Sequence, residues 1–471
     1  MSQINESAIK TPGVYINEIP LFPPSVAQVE TAIPAFIGYT QIAINEIGES
    51  LENVPTKIFS LKEYENYFGK AENEEGITVS VEITTQSGVR VSMTGDAAIA
   101  NPSDFTMYYH MRMYFINGGG PCYIISIGSS SGTADPNDYT AGLTACAAED
   151  EPTIIVFPDA INTLTEAQYY TLVSSAIDQC ASLQDRFTLV DVHTPGTNNT
   201  TTISGFRTAF SKNDSLNYAA SYYPSLKTTF DFMYDDDDVD VTITTDGTAA
   251  AAVALSTLET SETAIYNFCI AKIREKLSPT LNPCSAMAGV YARVDGSRGV
   301  WKAPANVSLN AVYDLTAKIS DAEQGSMNID PTSGKSVNAI RLFQGKGFLV
   351  WGARTLAGND NEWRYVNVRR FFIMVEESSK KATMQFVFEP NDANTWVKIR
   401  AMLENYLTLL WRQGALAGAK PEHAFYVRCG LGQTMSAIDI LEGRLIVEIG
   451  MAAVRPAEFI ILRFSHKMQE S

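Results

Sequence analysis

Short apolar runs alternate with helix-length segments from Val29 to Val192, and this alternation constrains the fold more than any other feature of the chain. "VETAIPAFIGYT", "CYIISI", "TIIVFPDA" and "RFTLVDV" read as strands. Between them, "DFTMYYHMRMYFING" and "EAQYYTLVSSAIDQCASL" read as helices, and "SLKEYENYFG" as a short amphipathic helix capped by Ser60. Strands separated by helices of this length predict βαβ units and an α/β (α+β) class. The same discipline returns late in the chain, where "GFLVWGA" and "RYVNVRRFFIMVEES" are strand-to-helix material. After Pro390, Asn391 or Asp392 can cap a helix whose apolar face is Trp396, Ile399, Leu403, Tyr406, Leu407 and Leu410, and which stops at Gly414.

Two stretches break the pattern. Ile77, Val79, Val81 and Ile83 alternate with Ser, Thr and Glu, then Val89, Val91 and Met93 follow "TQSG", which predicts a β-hairpin inserted at the surface. Residues 194–260 are rich in Thr, Asn, Asp and Ala, with little periodicity apart from "VDVTITT", and read in part as a solvent-facing excursion.

At 471 residues the chain exceeds one ordinary core, so two or three folded units are expected. A formal charge of −18 argues against nucleic acid as the main partner, because phosphate binding needs clustered Lys and Arg. The first residues show no signal region and no run approaches the length of a membrane span, so synthesis and folding in the cytoplasm are expected, without membrane insertion. The six cysteines are scattered without a CxxC pair, as expected of reduced, buried thiols.

Chemistry is weakly signalled. "SGKS" (Ser333–Ser336) suggests a phosphate loop, but the position that a Walker motif reserves for its first glycine is Ile329. "GSSSG" (Gly128–Gly132) fits the hydrolase elbow formally, yet turn residues rather than a helix follow it. The acidic run Asp235–Asp238 lacks the spacing and glycine of a calcium loop. No catalytic, cofactor-binding or metal site is expected.

The two ends pose a different problem. "GVYINEI" forms a short strand, Val14, Tyr15, Ile16, Asn17, Glu18 and Ile19, cut off from the rest by "PLFPP". At the other end, "GRLIVEIGMAAVRPAEFIILRF" divides at Arg455–Pro456 into strand candidates Arg444–Ile449 and Glu458–Phe464. The second, Glu458, Phe459, Ile460, Ile461, Leu462, Arg463 and Phe464, is apolar at nearly every position and wants cover on both faces. It is either a central strand of its own sheet or a strand donated to a neighbouring molecule, and the isolated N-terminal strand favours donation.

Seven stretches together resemble the tail-sheath proteins of contractile phages and extracellular contractile injection systems: "TPGVYINEI", "AGVYARVDGSRGVWKAPAN", "GFLVWGARTL", "YVNVRRFFIMVEES", "FVFEPNDANTWVKI", "LWRQGALAGAKPEHAFYVRCG" and "AAVRPAEFIILRF". The resemblance implies a multi-domain sheath fold. It would comprise an N-terminal linker arm (1–24), an N-terminal and middle domain (25–340) with β-rich insertions at about 76–98 and 230–260, and a C-terminal domain (341–471) whose last part, 456–471, is the second arm. It also implies sixfold rings stacked around an inner tube, with arms linking neighbours, and contraction that drives the tube into a target. Partners would be further copies of the chain, the tube protein, and baseplate and cap proteins, in a phage tail or a released tail-like particle. In the family a short helical element near the C-terminus meets the tube; here "TMSAIDILEG" is the candidate, with Thr434, Ser436, Asp439 and Glu442, unless it is only a local turn before Arg444. A static coat built by strand exchange is the alternative, and would show a single particle length.

Overall fold

The computed structural model describes residues 26–193 and 198–463. The expected N-terminal strand (Val14–Ile19) and Phe464 therefore lie outside the described residues. The chain divides into two compact units, one of residues 30–373 with 455–471, the other of 1–29 with 374–454. The boundary expected at 340/341 falls inside a strand of the larger unit, and the division comes instead at 373/374, within the helix Val366–Thr383.

The larger unit is built on a nine-stranded sheet. Its centre is parallel, in the order β5 (Cys122–Ser129), β1 (Pro34–Thr40), β6 (Ile154–Val156), β7 (Phe187–Asp191), β8 (Ala219–Tyr223), β16 (Val337–Phe343). Antiparallel strands close both edges: β2 (Thr56–Ile58) on β5, and β17 (Gly347–Val350) followed by β14 (Val307–Ser308) on β16. Every residue of β1, β7 and β8 is buried, because helices cover both faces of a parallel sheet. A small three-stranded sheet, β13 (Thr280–Leu281), β9 (Leu226–Thr228) and β15 (Val312–Leu315), adjoins this body in sequence. All six cysteines are buried and unbridged.

In open α/β sheets of this topology, ligands enter beyond the carboxyl ends of the strands where the order reverses, here between β1 and β6. This protein fills that crevice itself. Tyr139 Oη donates to Asp159 Oδ1 at 2.9 Å, Tyr39 Oη donates to Asp138 at 2.7 Å, and the Tyr39 ring packs edge-on against Tyr139 and Phe105. Asp159 is fully buried directly over β1, so close that a Cβ at Gly38 would lie 2.8 Å from its Oδ1.

The hairpin forms where expected, β3 (Ile77–Gln86) paired with β4 (Val89–Ile99). It is not a separate decoration. β3 also pairs in parallel with β10 (Asp240–Thr245), which carries β11 (Thr248–Ala249) and β12 (Val253–Ala254). Ile77, Val79, Val81 and Ile83 share a core with Leu255, Leu258, Ile265, Cys269 and Ile273 of the helices Leu255–Ser261 and Thr263–Lys276. The two expected insertions thus build one module with its own core. The expected irregular stretch 194–260 is also more ordered than its composition suggests: it contains the helix Asn199–Ala209 and β8, a central strand of the main sheet.

In the smaller unit, the helix Ala393–Arg412 is capped by Asp392, whose carboxylate accepts from Thr395 N at 3.0 Å, and it buries Ile399, Leu403, Tyr406, Leu407 and Leu410 as its spacing predicts. A two-stranded antiparallel ribbon follows, β18 (Phe425–Arg428) against β19 (Glu448–Met451). β19 starts later than the expected strand Arg444–Ile449. The reason is local: Arg444 N bonds to Asp439 O at 2.7 Å and Thr434 Oγ1 to Ile446 O at 2.7 Å, so these residues close a preceding turn rather than enter a ladder.

Candidate assembly interface

Beyond β19 the chain re-enters the larger unit at Arg455. From Arg455 to Arg463 it forms no helix or ladder, and Phe459, Ile460, Ile461 and Leu462 are 66–78% exposed. Four consecutive large apolar side chains in water, with their backbone unpaired, make a segment ready to join a sheet edge. Among the described residues, Glu458–Arg463 is not a strand of any sheet of its own molecule.

Glu458 behaves differently from the residues that follow it. Arg354 grips its carboxylate with both faces of the guanidinium fork: Nη2 donates to Oε2 at 2.7 Å and Nε to Oε1 at 3.0 Å. Asn328 Nδ2 donates to Oε1 at 2.6 Å and Tyr365 Oη to Oε2 at 3.0 Å. Arg354 Nη1 donates to the carbonyls of Gly358 and Asn328, which helps to hold the fork in place. Burial alone would raise the Glu458 pKa, but Arg354, Asn328 and Tyr365 outweigh it and leave the group below the ordinary carboxylate range. Glu458 is thus an anchor in its own chain, and the exposed apolar run begins at Phe459.

The ribbon β18–β19 is short, four residues a strand. Both of its outer edges lack a ladder partner among the described residues. Tyr426 lies across Gly450 of the opposite strand, where a Cβ would meet the ring at 2.2 Å, and its hydroxyl donates to Glu448 at 2.7 Å. A two-stranded ribbon is marginal by itself, so two further strands would both stabilise it and use its edges.

The four expected tube-contact residues prove to be occupied with local structure. Ser436 and Asp439 form the capping box of the short helix Ala437–Leu441, Thr434 bonds to Ile446 O, and Asp439 and Glu442 pair with Arg444. Besides Ser436 and Glu442, this turn exposes two large apolar side chains: Ile438 is 64% and Leu441 87% exposed.

The motifs with chemical overtones are likewise occupied. Lys335 of "SGKS" is buried and donates to Phe210 O, with Nζ 5.2 Å from the Phe210 ring centre, and burial lowers its pKa. Ser130 of "GSSSG" donates to Glu72 at 3.0 Å. His110 pairs with Ser285 at 2.9 Å, both fully buried, and burial lowers the His110 pKa to about 3. Among the described residues, no three His, Cys, Asp or Glu side chains gather as a metal site would require.

The described residues thus combine an α/β body, an exposed apolar C-terminal segment and an edge-open ribbon. The comparisons with known proteins place it more closely. The family described as phage tail sheath C-terminal domain matches residues 358–467. The chain is 33% identical to a chain of the anti-feeding prophage (AFP) baseplate structure, covering 98% of this chain and 100% of that one with a TM-score of 0.63. It is 30% identical to a chain of the sheath complex of PVC, an extracellular contractile injection system, in its contracted state, covering 98% of both with a TM-score of 0.65. The tail sheath protein of Vibrio phage KVP40 is 22% identical over 178 residues, 38% of this chain and 25% of that protein. The chain belongs to the contractile tail-sheath family, whose relatives here are structural proteins.

Proposed function

We propose that this chain is the repeating subunit of a contractile sheath. Copies stack as six-membered rings around an inner tube, bounded by a baseplate and a cap, and the array shortens to drive the tube into a target cell. The subunit does no enzymatic work: the free energy of contraction is the difference between two packings of the same subunits. Synthesis in a bacterial cytoplasm precedes assembly into a phage tail or a tail-like particle.

The links between copies are donated strands. The arm from Phe459 onward adds to one free edge of the β18–β19 ribbon in a neighbour, and the Val14–Ile19 strand of another copy adds to the other edge. A six-residue strand makes about five backbone hydrogen bonds, each worth about 0.5–1.5 kcal/mol net. Covering each large apolar side chain adds about 1.5–3 kcal/mol. The observation that carries this reading is the exposure of Phe459, Ile460, Ile461 and Leu462 in a chain aligned over nearly its whole length with sheath subunits.

Electron microscopy of purified particles tests it. A sheath gives long, narrow particles and, after triggering, short, wide ones; a single length under every condition would mean a static coat. The apolar face Ile438–Leu441, rather than the charged residues of the same turn, is the proposed tube contact.

A further inference from the structure

The roots of both arms are held by buried arginine–carboxylate pairs, and both arginines belong to one short stretch of chain. At the C-terminal root, Arg354 and Glu458 are 4% and 21% exposed, and Asn328 and Tyr365 complete the grip. At the N-terminal root, just beyond the Pro-rich break, Thr31 Oγ1 donates to Asp295 Oδ2 at 2.6 Å. Arg370 Nη2 donates to that same Oδ2 at 2.6 Å and to Thr31 O at 2.8 Å, and Nη1 reaches Asp295 Oδ1 at 3.1 Å. Arg370 and Asp295 are 4% and 6% exposed, and the Arg370 guanidinium lies 4.5 Å from the Tyr291 ring.

The stretch from Arg354 to Arg370 is stiff. Arg354 bridges Tyr365 as in an antiparallel ladder, with Thr355 N on Arg364 O at 2.9 Å and Val366 N on Ala353 O at 3.0 Å. Val366 then opens the helix that carries Arg370. A closed backbone clip followed by a helical turn leaves little freedom between the two arginines. Separate resemblance-bearing stretches of the sequence meet here: "GFLVWGARTL" supplies Arg354, "YVNVRRFFIMVEES" Tyr365 and Arg370, "AGVYARVDGSRGVWKAPAN" Asp295, and "AAVRPAEFIILRF" Glu458.

We propose that residues 354–370 form a tie-bar between the two arms, with the Arg354–Glu458 and Arg370–Asp295–Thr31 clamps as its fastenings. Tension drawn through one arm passes to the other along this stretch, in parallel with the path through β1 that begins three residues after Thr31. The residues are positioning residues for the links between copies. The inference rests on strand donation as proposed above.

The test uses the full chain assembled on its own tube, as wild type, Glu458→Gln, Asp295→Asn and Arg354→Lys, with a fifth chain ending at Ala457. Circular dichroism and thermal melting of the free subunit report the fold; electron microscopy before and after triggering counts sheaths broken between rings. Glu458→Gln and Asp295→Asn sheaths are expected to assemble and to break roughly tenfold more often on triggering, because an uncharged partner no longer holds the buried guanidinium. Arg354→Lys, which keeps the charge and loses the fork, falls between them and wild type. It also carries the test if Glu458→Gln loses its fold. Unchanged breakage in folded variants, with the Ala457-terminated chain unable to polymerise, overturns the tie-bar alone. Polymerisation of the Ala457-terminated chain overturns strand donation, and the tie-bar with it.

Discussion

Ile461→Asp separates the donated arm from an ordinary surface more cleanly than a deletion does. Ile461 is 78% exposed and its neighbours Ile460 and Leu462 are 78% and 72% exposed, so the free subunit gains almost nothing from the side chain. Surface changes of this kind alter stability by about 0.5 kcal/mol at most. Under the proposed strand donation the same position lies in a ladder against a neighbour. There the substitution forfeits about 1.5–3 kcal/mol of apolar burial and adds the cost of desolvating a carboxylate, at least a few kcal/mol more. A combined loss of about 4 kcal/mol per link is roughly a thousandfold in association constant, repeated at every subunit. Thermal melting of the free chain and pelleting at matched concentration measure the two effects. The melting temperature is expected to hold and the pelleted fraction to collapse. A melting temperature lowered by several degrees would mean that the side chain is buried in its own molecule, and normal pelleting would mean that the arm is not a link.

Asp159→Asn should flatten the pH dependence of stability. Burial raises the Asp159 pKa from 3.8 to about 7, with the Tyr139 hydrogen bond opposing. The folded state therefore binds this proton more tightly than the unfolded state. Its contribution is full below pH 3.8 and is lost as pH rises toward 7, by about 2–3 kcal/mol between pH 5 and 8. Urea unfolding at those two pH values should show a smaller decline in the variant, while Asp191, also raised by burial to about 7, still titrates in both chains; equal declines would refute the assignment. Gly38→Ala places a Cβ 2.8 Å from Asp159 Oδ1 and should cost about 1–3 kcal/mol of stability by the same assay, whereas an unaltered unfolding curve would show that the crevice yields. Leu441→Lys, at an 87% exposed position, should leave melting unchanged and weaken sheath assembly on the tube; equal yields of tube-filled sheath would remove this helix from the contact.

Periodicity carried much of the fold. The hairpin Ile77–Thr94 and the helix capped by Asp392 follow from spacing and capping alone, because their signals lie within one element. β8 escaped because "AASYY" has no β-branched residue and owes its place to complete burial between β7 and β16. The shared module escaped because the β3–β10 pairing joins distant segments, and nothing local to either announces the other. The exposed apolar segment was legible as an anomaly of placement, although nothing local to Glu458 announced its contact with Arg354. Glu458 and Arg354 stand 104 residues apart, each a single charge among ordinary neighbours, and charge in sequence reads by default as solvated surface. In the turn 434–443, Ser436 and Asp439 serve the local cap while Ile438 and Leu441 are exposed, an arrangement that composition does not announce.

Whether β-structure is completed between copies is read directly from a cryo-electron microscopy reconstruction of the assembled sheath. Residues 459–464 should run in ladder register along an edge of β18–β19 in an adjacent subunit, with Glu458 still seated on Arg354 of its own. Density placing that segment back on its own subunit, or leaving both edges of the ribbon unpaired, would contradict strand donation.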